Sequence, residues 1–265
     1  MLCVISAALV LVPLGYILTY TVVHGISAIN WNFFTQLPKP VGETGGGIAN
    51  ALVGTLIMLL MSGVIAIPVG VIAGIYLSEF GNNKFGYSIR FLTDVMNGLP
   101  SIIIGVFAYT LVVIPMKRFS AIAGSVALAI LMLPIIIRAT EELIKLVPNY
   151  IREGGVAIGI PRWKVTLKII LRSALPGIVT AIMLSVARAA GETAPLLFTA
   201  LGNRFWQPRL DQPMDAVSLM IFEYAKAPYD DWHAQAWAAS FVVIMLILIL
   251  KIIIRFVTKS EIKSA

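Results

Sequence analysis

The chain has 265 residues, 59% hydrophobic and 12% charged, with a mean hydropathy of +0.92. A water-soluble domain of this length needs far more polar residues to cover its surface, so the composition excludes one and makes lipid the solvent. The net charge of +7 is scattered between long apolar runs and forms no compact basic face, which argues against nucleic-acid binding.

Crossing a bilayer core takes about 20 mainly apolar residues. Six stretches qualify, near 2–24, 48–77, 89–115, 119–139, 176–201 and 233–257. Backbone groups in lipid must bond within their own segment, so these stretches are helices, and the short alternating strands of a barrel are not visible. The expected class is therefore all-α, a polytopic membrane protein with six transmembrane helices. The first stretch is too long for a cleaved leader and lacks a basic start, so it reads as a retained span. The missing basic start would also suit a truncated N-terminus. Cys3 is the single cysteine, so no intramolecular disulfide forms, and His24 and His233 stand apart, as packing residues rather than metal ligands.

Residues 25–47, with Pro38, Pro40 and Gly45 to Gly47, read as an external loop. Pro68, Pro100 and Pro134 lie in or beside apolar runs, where kinks and close helix packing explain them. The domain division is 1–47 for the first helix and external loop, 48–257 for the membrane core, and 258–265 for a tail. Lys and Arg set the orientation. The 78–90 and 138–172 connections and the C-terminal end carry thirteen basic residues, against six on the other side. The richer side is expected to be cytoplasmic, with both termini. Trp31, Trp206, Trp232 and Trp237 are then expected in the external aromatic belt.

The connection from about 140 to 175 is too polar to span. A short helix fits between Asn149 and Gly159, and Pro161 bars its continuation. Periodicity alone gives an amphipathic helix on the membrane surface. Its residues say more. Glu153-Gly154-Gly155-Val156-Ala157-Ile158-Gly159 resembles the EAA loop of ATP-binding-cassette importer permeases, a Glu followed six residues later by a Gly. The usual Ala pair is Gly154-Gly155 here, and the usual Leu-Pro is Leu171-Arg172, with a second Leu-Pro at Leu175-Pro176. The resemblance implies a coupling helix that docks on an ATPase subunit, with Glu153, Gly154, Gly155 and Gly159 as the coupling residues. No GxxxxGK[ST] phosphate loop occurs in the chain. The chain is thus expected to be no enzyme and to hold no cofactor; ATP and Mg would be bound by two partner cassette ATPase subunits.

In the fifth stretch Arg188 and Glu192 are four residues apart, on one face of a helix. Arg188 is twelve residues past Pro176, about 18 Å of rise, which places it near mid-membrane. Ionisable groups at that depth usually line an internal pathway, and the planar guanidinium fork matches an oxyanion. Glu192 would neutralise it when the pathway is empty, and Thr193 adds a hydroxyl. The competing reading is an ion pair that only locks helices together. No catalytic or metal-binding residue is expected.

Arg188-Ala189-Ala190-Gly191-Glu192-Thr193-Ala194-Pro195-Leu196 resembles the RAxGETAPL signature of the A-type permeases of phosphate importers. Gly46-Gly47-Ile48, Leu99-Pro100-Ser101-Ile102, Leu133-Pro134, Arg138 and Thr140-Glu141-Glu142 extend the similarity from about residue 45 to 257. It implies a type I importer permease in a bacterial or archaeal inner membrane, paired with a homologous C-type subunit and served by an external phosphate-binding protein. Arg188, Glu192 and Thr193 would then lie in the translocation pathway. Arg138 is expected to snorkel to headgroups, and Asp94 to pair with a basic residue or cap a helix. The alternatives are a permease for another oxyanion, such as sulfate or molybdate, and an ion-coupled secondary transporter.

Overall fold

The computed structural model describes residues 2–43 and 45–263, the side chains of 2–5, 7, 250 and 253–263 excepted. Cys3, Arg255, Lys259 and Lys263 therefore lie outside the described side chains, and the end of the 258–265 tail lies outside the described residues.

Regular structure among these residues is helical. In chain order the helices are α1 (Leu2–Gly25), α2 (Trp31–Thr35), α3 (Ala49–Glu79), α4 (Lys84–Gly98), α5 (Ser101–Met116), α6 (Ala121–Lys145), α7 (Asn149–Ala157), α8 (Arg162–Ala190), α9 (Ala194–Leu197), α10 (Val217–Lys226) and α11 (Asp230–Lys263). Three starts carry side-chain caps. The oxygens of Asn30, Asn83 and Ser120 accept the backbone N–H groups of Phe33, Gly86 and Ala123, which have no partner inside their helices.

Five helices are long and apolar enough to cross a membrane: α1, α3, α6, α8 and α11. The expected span at 89–115 is not one straight helix. It is the bent pair α4 and α5, which meet at 111°. Pro100 has no N–H to give and forces Leu99 into an extended conformation (φ −74°, ψ 136°), so α4 stops and α5 restarts beyond it. The span expected at 176–201 also moves. Its helix starts at Arg162 and ends at Ala190, which shortens the 140–175 connection to residues 146–161.

α6 is the central helix. Of its apolar stretch 67% is buried, against 28% or less in the other spans. It packs along α3, and small residues set the distance. A Cβ at Gly74 would lie 2.5 Å from the Thr140 side chain, so only glycine lets the two backbones meet there. Met58, Leu128, Met132, Ile136, Ile170 and Ile178 fill the contact among α3, α6 and α8. Lipid tails are as apolar as these side chains, so close van der Waals fit holds the helices together, with no gain from leaving water.

A second cluster forms at the opposite end of the bundle from α7. Phe33, Ile48, Val217, Met220, Tyr224 and Trp232 are buried there. Trp232 is consequently core and not part of an exposed belt: its ring stacks on Tyr224 with centroids 4.4 Å apart. Trp31 and Trp206 are exposed. His24 stacks on Tyr20, the packing role read from its isolation.

Candidate functional site

The connection after α6 folds into the short helix expected of it. Pro148 precedes α7, and Gly159 closes it with φ +82°, a left-handed conformation that glycine adopts freely. The Ile160 N–H returns to the Gly155 carbonyl across that turn (3.2 Å). Gly155 is buried against α8, where a Cβ would meet the Val165 side chain at 2.8 Å. Glu153 and Gly154 face outward, and Glu153 forms no ion pair among the described residues. Leu146, Tyr150, Ile158 and Trp163 surround this face as exposed large apolar groups. Four such groups on one exposed face mark an interaction surface, for lipid or for protein. A cleft of about 480 Å³ opens beside it, bordered by Glu79, Phe80, Arg152, Glu153 and Arg162.

At the other end of α8 the structure brings Arg188, Glu192 and Thr193 together. Arg188 is in the last turn of the helix; Gly191 caps it, and the chain unwinds through Glu192 and Thr193 before α9. The Arg188 Nε lies 3.6 Å from the Glu192 carboxylate. That pair therefore spans a helix end and is not a ladder on one helix face. Along the helix Arg188 is sixteen residues past Arg172, about 24 Å of rise. Its side chain is 49% exposed, against 17% for Glu192. The guanidinium thus keeps free donors on an open side.

Ser218 on α10 holds the unwound segment. Its hydroxyl donates to the Glu192 carbonyl (2.9 Å), and its own carbonyl accepts the Thr193 hydroxyl (3.4 Å). Thr193 and Ser218 also border a cavity of about 240 Å³ with Gly191 and Ser240. Nothing in the sequence marks Ser218, a lone hydroxyl in an apolar run, and sequence reasoning missed it.

Sequence reasoning also missed a charge cluster at the α7 end. Glu141, fully buried on α6, accepts from Arg90 (2.6 Å), Lys145 (2.7 Å) and Arg138 (3.2 Å). Arg138 forms a second pair with Asp94 of α4. Asp94 thus takes the basic partner expected for it, whereas Arg138 is tied between two carboxylates and does not reach out to headgroups. Arg90 spends its remaining donors on the Gly81 and Leu77 carbonyls at the end of α3 (2.9 and 2.6 Å).

At the far end, in the segment joining α9 to α10, Asp215 is buried without a cation in contact. Its carboxylate accepts the Ala216 N–H (2.9 Å) and the Asn50 amide (3.3 Å). Burial pushes its pKa up to about 7, and the nearby Glu223 charge adds to the rise.

These features define an integral membrane component whose apolar helices are joined by a connection that folds into a short helix. A family model described as "Binding-protein-dependent transport system inner membrane component" matches residues 66–262, and the chain belongs to that family. It is 42% identical over 243 residues to the phosphate transport system permease protein PstA of Yersinia pestis, covering 91% of this chain and 82% of that protein. It is 41% identical to the Haemophilus influenzae protein of that name (95% and 89% covered). A probable phosphate transport system permease protein PstA of Methanocaldococcus jannaschii is 36% identical (96% and 90% covered). Among solved structures, a chain of the MetNI methionine ABC transporter in inward-facing conformations superposes with a TM-score of 0.61 at 21% identity, covering 82% of this chain and 94% of that one. That likeness establishes the ABC permease fold.

Proposed function

We propose that this chain is the A-type permease subunit of an ATP-driven phosphate importer and that Arg188, Glu192 and Thr193 line its translocation pathway. The half-exposed Arg188, held by one 3.6 Å contact, carries this reading. A guanidinium committed to structure has its donors filled; this one has donors to spare for phosphate oxygens. Glu192 shields the charge between passages and weakens retention, so the ion can leave.

The open side of Arg188 faces a homologous C-type permease, which completes the pathway. Phosphate arrives from an external binding protein. Two cassette ATPase subunits bind ATP and Mg and hydrolyse the nucleotide, while this chain performs no chemistry of its own. Glu153 and Gly154 on α7 meet the ATPase, Gly155 seats α7 on α8, and Gly159 provides its tight exit. ATP binding displaces α7 and opens the helices outward; hydrolysis restores the inward-facing state. The α7 end is cytoplasmic with both termini, in a bacterial or archaeal inner membrane. Residues 48–257 form the core, with 1–47 and 258–265 as appendages.

Co-purification and transport competition test this. An ATP-hydrolysing subunit should accompany the tagged chain and be lost with Glu153→Ala or Gly159→Val. Labelled phosphate uptake should resist excess sulfate or molybdate. Uptake with no such subunit would mean an ion-coupled carrier, and competition by sulfate or molybdate would mean another oxyanion.

A further inference from the structure

α7 rests on α8 through Gly155 and is hydrogen-bonded to the ends of α3 and α6 through one side chain, Arg152, which the residues of the loop motif do not include. Its guanidinium makes four hydrogen bonds to three elements. Nε donates to the Glu79 carboxylate at the last residue of α3 (3.1 Å). Nη2 donates to the Ile144 carbonyl in the last turn of α6 (2.8 Å). Nη1 donates to the Val147 carbonyl just beyond α6 and to the Asn149 side chain at the start of α7. The ends of helices leave carbonyls with no partner inside the helix, and a cation near them is favoured twice, by hydrogen bonding and by the helix dipole. The pair is also sheltered: the Arg152 and Glu79 side chains are 21% and 15% exposed.

Resting on the importer reading above, we propose that Arg152 is the positioning residue that makes α7 and the adjoining ends of α3 and α6 move as one body. A motor that displaces α7 then displaces the two most tightly packed helices of the bundle, and through α6 the whole core. The geometry needs a fork. Arginine presents five donors in a fixed plane, and here they point at separate acceptors on different elements. Lysine supplies the same charge from one point and cannot reach all of them. The contrast with Glu153 is direct: that side chain faces outward, toward the motor, while Arg152 beside it faces inward, toward the membrane helices.

The test uses the complete importer in proteoliposomes, with ATP inside and labelled inorganic phosphate delivered by the binding protein outside. Import and hydrolysis are measured on the same vesicles, along with the amount of ATPase subunit retained. Arg152→Lys should retain the ATPase subunits yet lose about tenfold in phosphate imported per ATP hydrolysed, the factor equivalent to one charge-assisted hydrogen bond. Glu79→Gln removes one charged contact and leaves the carbonyl bonds, so its loss should be smaller and in the same direction. An unchanged ratio in Arg152→Lys, or import and hydrolysis falling by the same factor, would overturn the proposal and leave Arg152 a structural residue. Should Arg152→Lys fail to assemble, the ratio in Glu79→Gln decides in the same way. If the unaltered chain retains no ATP-hydrolysing subunit, the importer reading fails first and the coupling role with it.

Discussion

The two ends of the helix bundle use charge in opposite ways. At the α7 end, Glu141 is buried among Arg90, Arg138 and Lys145, and the guanidiniums of Arg90 and Arg152 are spent on carboxylates and helix-end carbonyls. At the far end, Arg188 has a single loose partner, and the buried Asp215 has only amide donors in contact. The first arrangement fixes positions: the buried carboxylate and these guanidiniums are spent on one another and on helix-end carbonyls. The second leaves donors of Arg188 unfilled, which in the importer reading are available to an oxyanion. The same residue type, arginine, is therefore scaffold at one end and candidate ligand at the other, and its unfilled donors distinguish the two.

The largest effect that bears on this contrast belongs to Glu141. Glu141→Gln keeps the shape but removes the buried charge that Arg90, Arg138 and Lys145 share. Breaking a buried ion pair from one side typically costs about 3–5 kcal/mol, so the thermal midpoint of the detergent-solubilised protein should fall markedly. A midpoint close to that of the unaltered chain would mean that the cluster is not a structural clasp.

At the far end Asp215 makes stability depend on pH. Its carboxyl keeps its proton to about pH 7 in the folded loop but releases it near 3.8 when unfolded. The folded state thus binds more protons between those values, and its stability declines as pH rises through that window before levelling off above it. The decline should be on the order of 2–4 kcal/mol. Asp215→Asn should flatten it, as read by hydrogen exchange in residues 198–216 from pH 4 to 8. A profile that keeps its slope in the variant would locate the titrating group elsewhere.

The smallest effect is at Ser218. Ser218→Ala removes one hydrogen bond to the Glu192 carbonyl, worth about 1 kcal/mol, so phosphate uptake should fall several-fold with assembly unchanged. Full uptake would show that α10 does not hold the unwound segment in place.

Much of this was legible in the sequence, for identifiable reasons. Hydropathy located the spans because lipid imposes length and composition on every one of them. Gly159 and Pro161 bounded α7 because a helix end needs a left-handed residue and a proline bars continuation. The pairing of Arg188 with Glu192 followed from their spacing, although the helix ends between them. What was hidden depends on contacts distant in sequence. Asp94 and Arg138 are 44 positions apart and meet only because α4 folds back on α6. The early start of α8 was hidden because Arg162, Lys164, Lys168 and Arg172 lower the hydropathy of a segment that is nonetheless helical. The bend at Pro100 was visible as a proline but not as an angle, since prolines at 68 and 134 sit inside continuous helices.

The unspent charge at the far end is what separates a conduit from a locked bundle, and uptake through Arg188 variants measures it. Arg188→Gln, in importer assembled to normal levels, should lower labelled phosphate uptake by about a hundredfold or more, the loss expected when an oxyanion's charged partner is removed, while Arg188→Lys keeps part of it. Uptake by Arg188→Gln equal to that of the unaltered importer would contradict the account and leave Arg188 and Glu192 as a helix lock.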